Sequence, residues 1–338
     1  LSDRYSRQEL FQPIGKEGQR KLSQKHVLMI GAGALGTGAS ETLVRAGVGK
    51  LTIVDRDYVE WSNLQRQQLY TEQDATERMP KAIAAYNRLS AVNSEVEIIA
   101  KVTDVTTEEI DELVEGVDLI MDATDNFDIR LLINDAAQKY RIPWIYGAVI
   151  GSYGLTYTIL PGQTPCLSCL LESVPMGGAT CDTAGIISPN VQMVVAYQTV
   201  EAMKILVEDF DAVRPTLLSF DLWTNQHTTI RVDKLKKDDC PSCGKQPSFP
   251  FLSQANHTKT AVLCGRDTVQ IRPPVPMQRD LEQLAQSLAV HGQIEKNPYL
   301  VSLSTGAHRL AIFQDGRVLV HGTKDVTEAR TLYHRFLG

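Results

Sequence analysis

A chain of 338 residues has room for two domains, or for one large domain with an appendage, and 43% hydrophobic content is ample for a buried core. A net charge of −6 argues against a general nucleic-acid surface, and no apolar run reaches the roughly 18–20 residues of a membrane span. No signal-peptide pattern opens the chain, so it reads as cytoplasmic. There, six cysteines, four of them in two C-x-x-C pairs, argue for metal or redox chemistry rather than disulfides.

Residues 1–25 are polar and helix-compatible. Arg4 and Arg7 are three apart and share a helix face, which by itself describes a solvated terminal helix. The apolar run Val27–Ile30 then reads as a buried strand. Gly31-Ala32-Gly33-Ala34-Leu35-Gly36 has the form G-x-G-x-x-G, and Leu35, Ala39, Leu43 and Ala46 recur at helical spacing. Gly47 and Gly49 end that helix, and a second strand, Leu51–Val54, delivers Asp55. Strand, glycine turn, helix, strand and acid in this order form a nucleotide-binding fingerprint. Gly31 permits the tight turn, Gly33 lets phosphate approach the backbone, and Gly36 allows close packing. The helix N-terminus offers N–H groups and a positive dipole end to phosphate, and Asp55 can accept from ribose hydroxyls.

Beyond Asp55 come Asp57 and Ser62-Asn63-Leu64-Gln65-Arg66-Gln67. A dehydrogenase does not need a polar, arginine-bearing loop just past its ribose acid, whereas a triphosphate site does. Pro80-Lys81 opens a helix to about Asn93. Lys81 taken singly is an exposed lysine, although it could point back toward phosphate. Strand Val96–Ala100, a short helix Thr107–Val114 and the apolar strand Asp118–Asp122 follow. The last ends in Ala123-Thr124-Asp125-Asn126, before a helix from Phe127 to Tyr140. An acid at the carboxyl end of a parallel strand faces the ligand crevice, so Asp125 could hold Mg²⁺ against phosphates. A helix N-cap explains an Asp or Asn there equally well.

Strands Trp144–Ile150 and Tyr153–Leu160 precede Cys166-Leu167-Ser168-Cys169, whose mate is Cys240-Pro241-Ser242-Cys243. Cys166, Cys169, Cys240 and Cys243 supply the four thiolates of a closed, structural Zn²⁺ site. That site would tie together the chain on either side of a long Pro189–Phe210 helix and the strands Leu217–Phe220 and Thr228–Val232. Between the knuckles a glycine-rich stretch carries Cys181, which is either a small buried cysteine or an exposed thiolate. The sixth cysteine, Cys264, reads as core. Past Pro247 and Pro250 a small α+β unit is expected, with strands at 260–264, 268–272, 299–303, 308–313 and 317–321. Its helices are expected at 279–290 and 325–336, and Asp315-Gly316 makes a hairpin turn.

Together these motifs resemble the bacterial MoeB/ThiF family, relatives of the ubiquitin-activating enzymes. The matching residues are R-Y-S-R-Q at 4–8, G-A-G-A-L-G at 31–36, D-R-D at 55–57, S-N-L-Q-R-Q at 62–67, P-K at 80–81, T-D-N at 124–126 and both C-x-x-C pairs. The resemblance implies an α/β fold: a Rossmann-like nucleotide-binding sheet continued by an antiparallel half with a four-cysteine zinc site, plus a small C-terminal α+β unit. Residues 1–247 would be the adenylation domain, divided into an arm (1–25), a nucleotide-binding part (26–160) and a zinc and carrier-binding part (161–247). Residues 248–338 would be the appended unit.

The activity implied is ATP- and Mg²⁺-dependent adenylation of the C-terminal glycine of a ubiquitin-like sulfur carrier ending in Gly-Gly, with release of pyrophosphate. The carrier would be MoaD-type, for molybdopterin, or ThiS-type, for the thiazole of thiamine; the first choice here is the molybdopterin carrier. By position the resemblance assigns ATP contacts to Gly31, Gly33, Ala34, Asp55, Asp57, Ser62, Asn63, Leu64, Gln65, Arg66, Lys81, Asp125 and Asn126. Arg7 would reach the neighbouring subunit's site in a homodimer, and Cys181 would be the cysteine that ThiF-like members link to the carrier. Two features depart from the family. Arg78-Met79 precede Pro80-Lys81 where a glycine is common, and the C-terminal unit lacks the active-site cysteine loop of a rhodanese. Sulfur would therefore come from a separate donor such as a cysteine desulfurase. The alternatives are an NAD-dependent oxidoreductase, which leaves the loop at 62–67 unexplained, an ATP-dependent tRNA-modifying relative, and a catalytically silent zinc-stabilised module.

Overall fold

The structure is a computed structural model that describes residues 3–171, 185–253, 260–262, 267–273 and 277–337. The chain divides into two compact units, residues 1–76 with 80–256, and residues 77–79 with 257–338.

In the first unit a short arm, Ser6–Glu9 (α1) and Gly15–Leu22 (α2), leads into a wound α/β half. Its strands are His26–Ile30 (β1), Lys50–Val54 (β2), Glu97–Lys101 (β3), Leu119–Asp122 (β4) and Trp144–Ile150 (β5). Its helices are Ala34–Ala46 (α3), Glu72–Thr76 (α4), Lys81–Val92 (α5), Ile110–Leu113 (α6) and Phe127–Tyr140 (α7). Tyr153–Ile159 (β6), Thr216–Asp221 (β7) and Gln226–Arg231 (β8) extend the same sheet, with Leu167–Leu171 (α8) and Ser188–Leu206 (α9) between β6 and β7. The strand order is β3-β2-β1-β4-β5-β6-β7-β8. Pairings among β1–β5 are parallel and those from β5 to β8 antiparallel, so a Rossmann-like sheet is continued by an antiparallel half, as expected.

The central strands β1, β2 and β4 are buried from their second residue onward or throughout. Covered on both faces, they read in sequence as short continuous apolar runs rather than alternating ones. Leu28, Ile30, Ile120, Trp144, Tyr146 and Tyr157 anchor the core. Helix α9 lies close to α3, where a Cβ on Gly38 would stand 3.1 Å from Val195. This helix ends at Leu206 rather than at Phe210. Glu208 takes a left-handed φ of 66°, through which a right-handed helix cannot run, and Phe210–Ala212 forms a separate 3₁₀ turn. The Glu208 carboxylate is held at 2.8 Å by Lys21 and 3.0 Å by Lys25.

The arm is more than a solvated helix. Tyr5 is buried, its hydroxyl accepts from Asn93 at 2.9 Å, and Arg4 donates to the Val92 carbonyl at 3.0 Å. Arg7, on the same short helical stretch, stays exposed.

The second unit is a six-stranded antiparallel sheet in the order β11-β12-β13-β14-β10-β9. Its strands are Thr260–Val262 (β9), Thr268–Ile271 (β10), Gln293–Lys296 (β11), Leu300–Thr305 (β12), His308–Phe313 (β13) and Val318–His321 (β14). Two helices, Leu281–Leu288 (α10) and Val326–Leu337 (α11), pack on it. Leu284, Leu288, Ala329 and Tyr333 meet Val301, Leu303, Leu310, Ile312, Val318 and Val320 in one core. Gly316, at φ 84°, turns the hairpin between β13 and β14. Strand β11 goes unpredicted because Gln293-Ile294-Glu295-Lys296 is a polar, exposed edge with one apolar residue. Cys264 lies outside the described residues.

Candidate functional site

The parallel half reverses winding between β1 and β4, and ligands of such sheets sit at the carboxyl ends of the strands beside that switch. The glycine loop is there. Gly31 has φ 99°, and a Cβ on it would meet the Ala123 carbonyl oxygen at 2.5 Å. A Cβ on Gly36 would stand 2.0 Å from the Gly31 carbonyl oxygen, so the third glycine is needed by the turn itself. A Cβ at Gly33 would meet only the Gln67 amide, at 3.9 Å, which leaves the space above it open to a ligand. The first turn of α3, beginning at Ala34, faces this opening with no side-chain cap on its N–H groups.

Asp55 stands at the end of β2. Its carboxylate accepts from the backbone N–H of Ala32 at 2.6 Å and of Asp57 at 2.7 Å, so it braces the glycine loop. Burial pushes Asp55 above the usual carboxylate range; the charge of Lys81 works the other way, and Asp57 adds to the rise. Lys81 is buried, 3% exposed, with its ammonium 3.5 Å from Asp57. The expectation of an exposed lysine fails because Lys81 opens α5 directly beneath Asp57, whose carbonyl accepts the Lys81 N–H at 2.9 Å.

The polar loop splits into props and free surface. Asn63 is buried and forms a reciprocal capping box with Glu60. Ser62 and Gln65 are exposed, Leu64 and Arg66 half-buried, and Arg66 donates back to the Ser62 carbonyl at 2.8 Å. At the end of β4, Asn126 is the N-cap of α7, accepting from the N–H of Asp128 at 2.8 Å. The neighbouring Asp125 is exposed and makes no hydrogen bond among the described residues.

Three residues of this region have a role that no motif assigns, although Arg56 lies within D-R-D. Tyr70 is buried, with its hydroxyl 2.6 Å from the Ala32 carbonyl oxygen and 3.2 Å from that of Lys81, linking the glycine loop to the start of α5. Arg56 pairs with Asp104 at 3.2 Å. Burial works to lower the Arg56 guanidinium, but Asp104, Asp57 and Asp125 more than offset it, so it stays charged. Arg130 donates to Asp122 at 2.9 Å and to the carbonyls of Thr124 at 2.6 Å and Gly147 at 3.0 Å. Each partnership joins positions far apart in sequence or sits on an otherwise ordinary helix, so no spacing reveals it.

A second constellation lies under β5 and β6. The sulfurs of Cys166, Cys169, Cys240 and Cys243 fall within 4.8 Å of one another. The Cys166–Cys169, Cys166–Cys240 and Cys169–Cys243 separations are 3.9, 3.6 and 3.5 Å. A tetrahedron with metal–sulfur bonds of about 2.3 Å has edges of about 3.8 Å, whereas a disulfide needs about 2.05 Å. The cluster therefore fits a tetrahedral ion and no cystine. Asn134 accepts from the Leu167 N–H at 2.8 Å, and Ser168 and Ser242 meet at 3.0 Å, locking the two knuckles together. Cys181 and its glycine-rich neighbours lie outside the described residues.

The ThiF family profile matches residues 5–242, which belong to the first unit apart from 77–79. The chain is 55% identical, over all of both chains, to the Sulfur carrier protein ThiS adenylyltransferase of Bacillus subtilis (strain 168). It is 36% identical over 253 residues to the Sulfur carrier protein adenylyltransferase of Thermus thermophilus, covering 73% of this chain and 92% of that one. Among solved structures, MccB of E. coli with ATP superposes with a TM-score of 0.62 at 20% identity, covering 72% of this chain and 75% of that one. That likeness is one of fold. The glycine loop, its bracing acid, the buried lysine and three of the four clustered cysteines, Cys166, Cys169 and Cys240, therefore stand where the family profile runs, with Cys243 one residue past its end, and the chain is a member of the ThiF family.

Proposed function

We propose that this chain adenylates the C-terminal glycine of a ThiS-type ubiquitin-like sulfur carrier, with ATP as the adenylyl donor. One observation carries the choice of carrier: the identity to the ThiS adenylyltransferase of B. subtilis extends over the full length of both chains, C-terminal unit included. A molybdopterin-synthase adenylyltransferase of Salmonella typhimurium is 32% identical over 72% of this chain. The reading thus moves from the molybdopterin carrier to the thiazole one.

In this reading the ATP phosphates lie over Gly31, Gly33 and Ala34 at the N-terminus of α3, and the ribose lies toward Asp55. Ser62 to Arg66 and Asn126 border the nucleotide. A carrier carboxylate is already ionised at neutral pH, so its attack on the α-phosphate needs no general base. The two anions must be brought together and the charge building on pyrophosphate offset. Lys81, Arg66 and Arg7 from a second copy supply that charge. Lys81 reaches this role by exchanging its contact with Asp57 for phosphate oxygens. Asp125, exposed and without a hydrogen bond among the described residues, together with Asp57 suits an oxygen-binding Mg²⁺. When bound, Mg²⁺ would neutralise phosphate charge.

A homodimer is supported by the arm: Leu10 and Phe11 are 73% and 59% exposed beside Arg7, apolar surface suited to burial against a second copy. The four-cysteine cluster would hold Zn²⁺ in a structural role. Cys181 would be the thiol that meets the activated carrier, with sulfur arriving from a separate donor such as a cysteine desulfurase.

The test is ATP–pyrophosphate exchange with purified carriers. Exchange should depend on a ThiS-type carrier and vanish when its terminal Gly-Gly is removed. Exchange with a MoaD-type carrier alone would overturn the choice of carrier, and exchange with neither would overturn adenylation.

A further inference from the structure

The second unit, beyond the family profile, holds a cleft of about 400 Å³ between the end of α11 and the β12–β13 hairpin. That volume falls in the range of small-molecule sites. Basic groups reach it from three separate elements: His291 just before β11, His308 at the start of β13, and Arg335 in the last turn of α11. Ser304 and Thr305 also line it from the end of β12, the Thr305 hydroxyl donating to the His308 carbonyl at 3.3 Å. Among the described residues Arg335 has no carboxylate partner, and the His291 side chain makes only a ring contact, with Phe336, at 5.4 Å between centroids. Glu328, which does not line the cleft, is engaged by His308 at 3.2 Å. The Arg335 guanidinium stands 5.3 Å from the centre of the Phe336 ring, so the aromatic side chain is flanked by both basic groups.

We infer that this cleft binds the phosphate group of a small phosphorylated molecule, with Phe336 offering an apolar surface to the rest of the ligand. A guanidinium and two imidazoles offer donors from three elements, and an arginine fork by itself engages both oxygens of a carboxylate. The three groups together match a phosphate, whose terminal oxygens are all strong acceptors, and arginine pairs with it in a bidentate fork. A basic residue in a last helical turn also complements the helix dipole, which alone would account for Arg335. It does not account for the two histidines that line the same cleft, His291 before β11 and His308 on β13.

The test uses the full chain and the ring-proton NMR signals of His291 and His308, assigned through His291→Gln and His308→Gln. Inorganic phosphate should move both signals saturably, and phenyl phosphate should do so at several-fold lower concentration. Arg335→Gln, at an exposed position, should weaken both titrations at least tenfold, and Phe336→Ala should remove the advantage of phenyl phosphate. If that advantage is absent from the outset, the cleft reads free phosphate and the role of Phe336 is overturned. No saturable movement of either signal, or titrations unchanged in a folded Arg335→Gln protein, would overturn the proposal and leave an adventitious ion only.

Discussion

At the carboxyl end of β4 the Arg130 guanidinium and the Asp122 carboxylate form an ion pair of 2.9 Å that is almost wholly out of water. The Asp122 carboxylate also accepts from the backbone N–H and the hydroxyl of Thr124. Burial pushes Asp122 up and Arg130 opposes it. The turn that presents Asp125 is thus fixed from behind by a charged pair plus two carbonyl contacts of Arg130. Removing one partner of such a pair strands the other and costs about 3–5 kcal/mol. Arg130→Met should therefore lower the unfolding free energy by that order. Arg130→Met combined with Asp122→Asn should cost less than the two single changes added together. Denaturant unfolding of the four proteins checks this, and additive losses would show that the pair is not coupled.

Tyr70 makes a more local prediction. A phenol has one proton, so the 2.6 Å contact to the Ala32 carbonyl takes it and the Lys81 carbonyl at 3.2 Å is the weaker neighbour. Tyr70→Phe leaves a buried carbonyl short of a donor, at a cost of about 1–3 kcal/mol. Because the phenol spans the glycine loop and the start of α5, the KM for ATP should rise several-fold while kcat falls less. A lowered unfolding midpoint with an unchanged KM would reduce Tyr70 to a packing residue.

The four-cysteine cluster predicts one Zn²⁺ per chain by elemental analysis. Each of Cys166→Ser, Cys169→Ser, Cys240→Ser and Cys243→Ser should lower the melting temperature and the bound zinc together. In the fraction that stays folded, pyrophosphate exchange per molecule should remain within a few-fold of the unaltered protein. Full zinc content in a Cys240→Ser protein would mean that the ion sits elsewhere.

Much of the candidate site is legible in the sequence, for a physical reason. A glycine turn, a strand-end acid and paired cysteines impose residue types at fixed short spacings, so Gly31, Asp55 and Cys166 with Cys169 declare themselves. The supports are different in kind. Tyr70 reaches back 38 positions to Ala32, and Arg56 reaches forward 48 to Asp104. Neither follows from any local period. Lys81 misled when read singly because its burial depends on the preceding loop folding Asp57 over it. Strand β11 escaped because an exposed edge strand needs no apolar alternation.

The last prediction concerns Arg7, which is exposed and makes no hydrogen bond among the described residues. If it completes the site of a second copy, Arg7→Ala should cut exchange without dissolving the dimer. Asp125→Ala should cut it at least a hundredfold, on the order of 3 kcal/mol in the barrier. The two variants distinguish a shared site from a self-contained one. In a heterodimer of Arg7→Ala with Asp125→Ala, the subunit that keeps Asp125 receives an intact Arg7 from its neighbour, while the other site lacks both groups. One working site per heterodimer should give about half the activity of the unaltered dimer, far above either variant alone. If Arg7 served its own subunit, neither site would be complete and no activity would return. Purified heterodimers carrying two different affinity tags make the comparison direct, and silence from a verified heterodimer would sink the shared site.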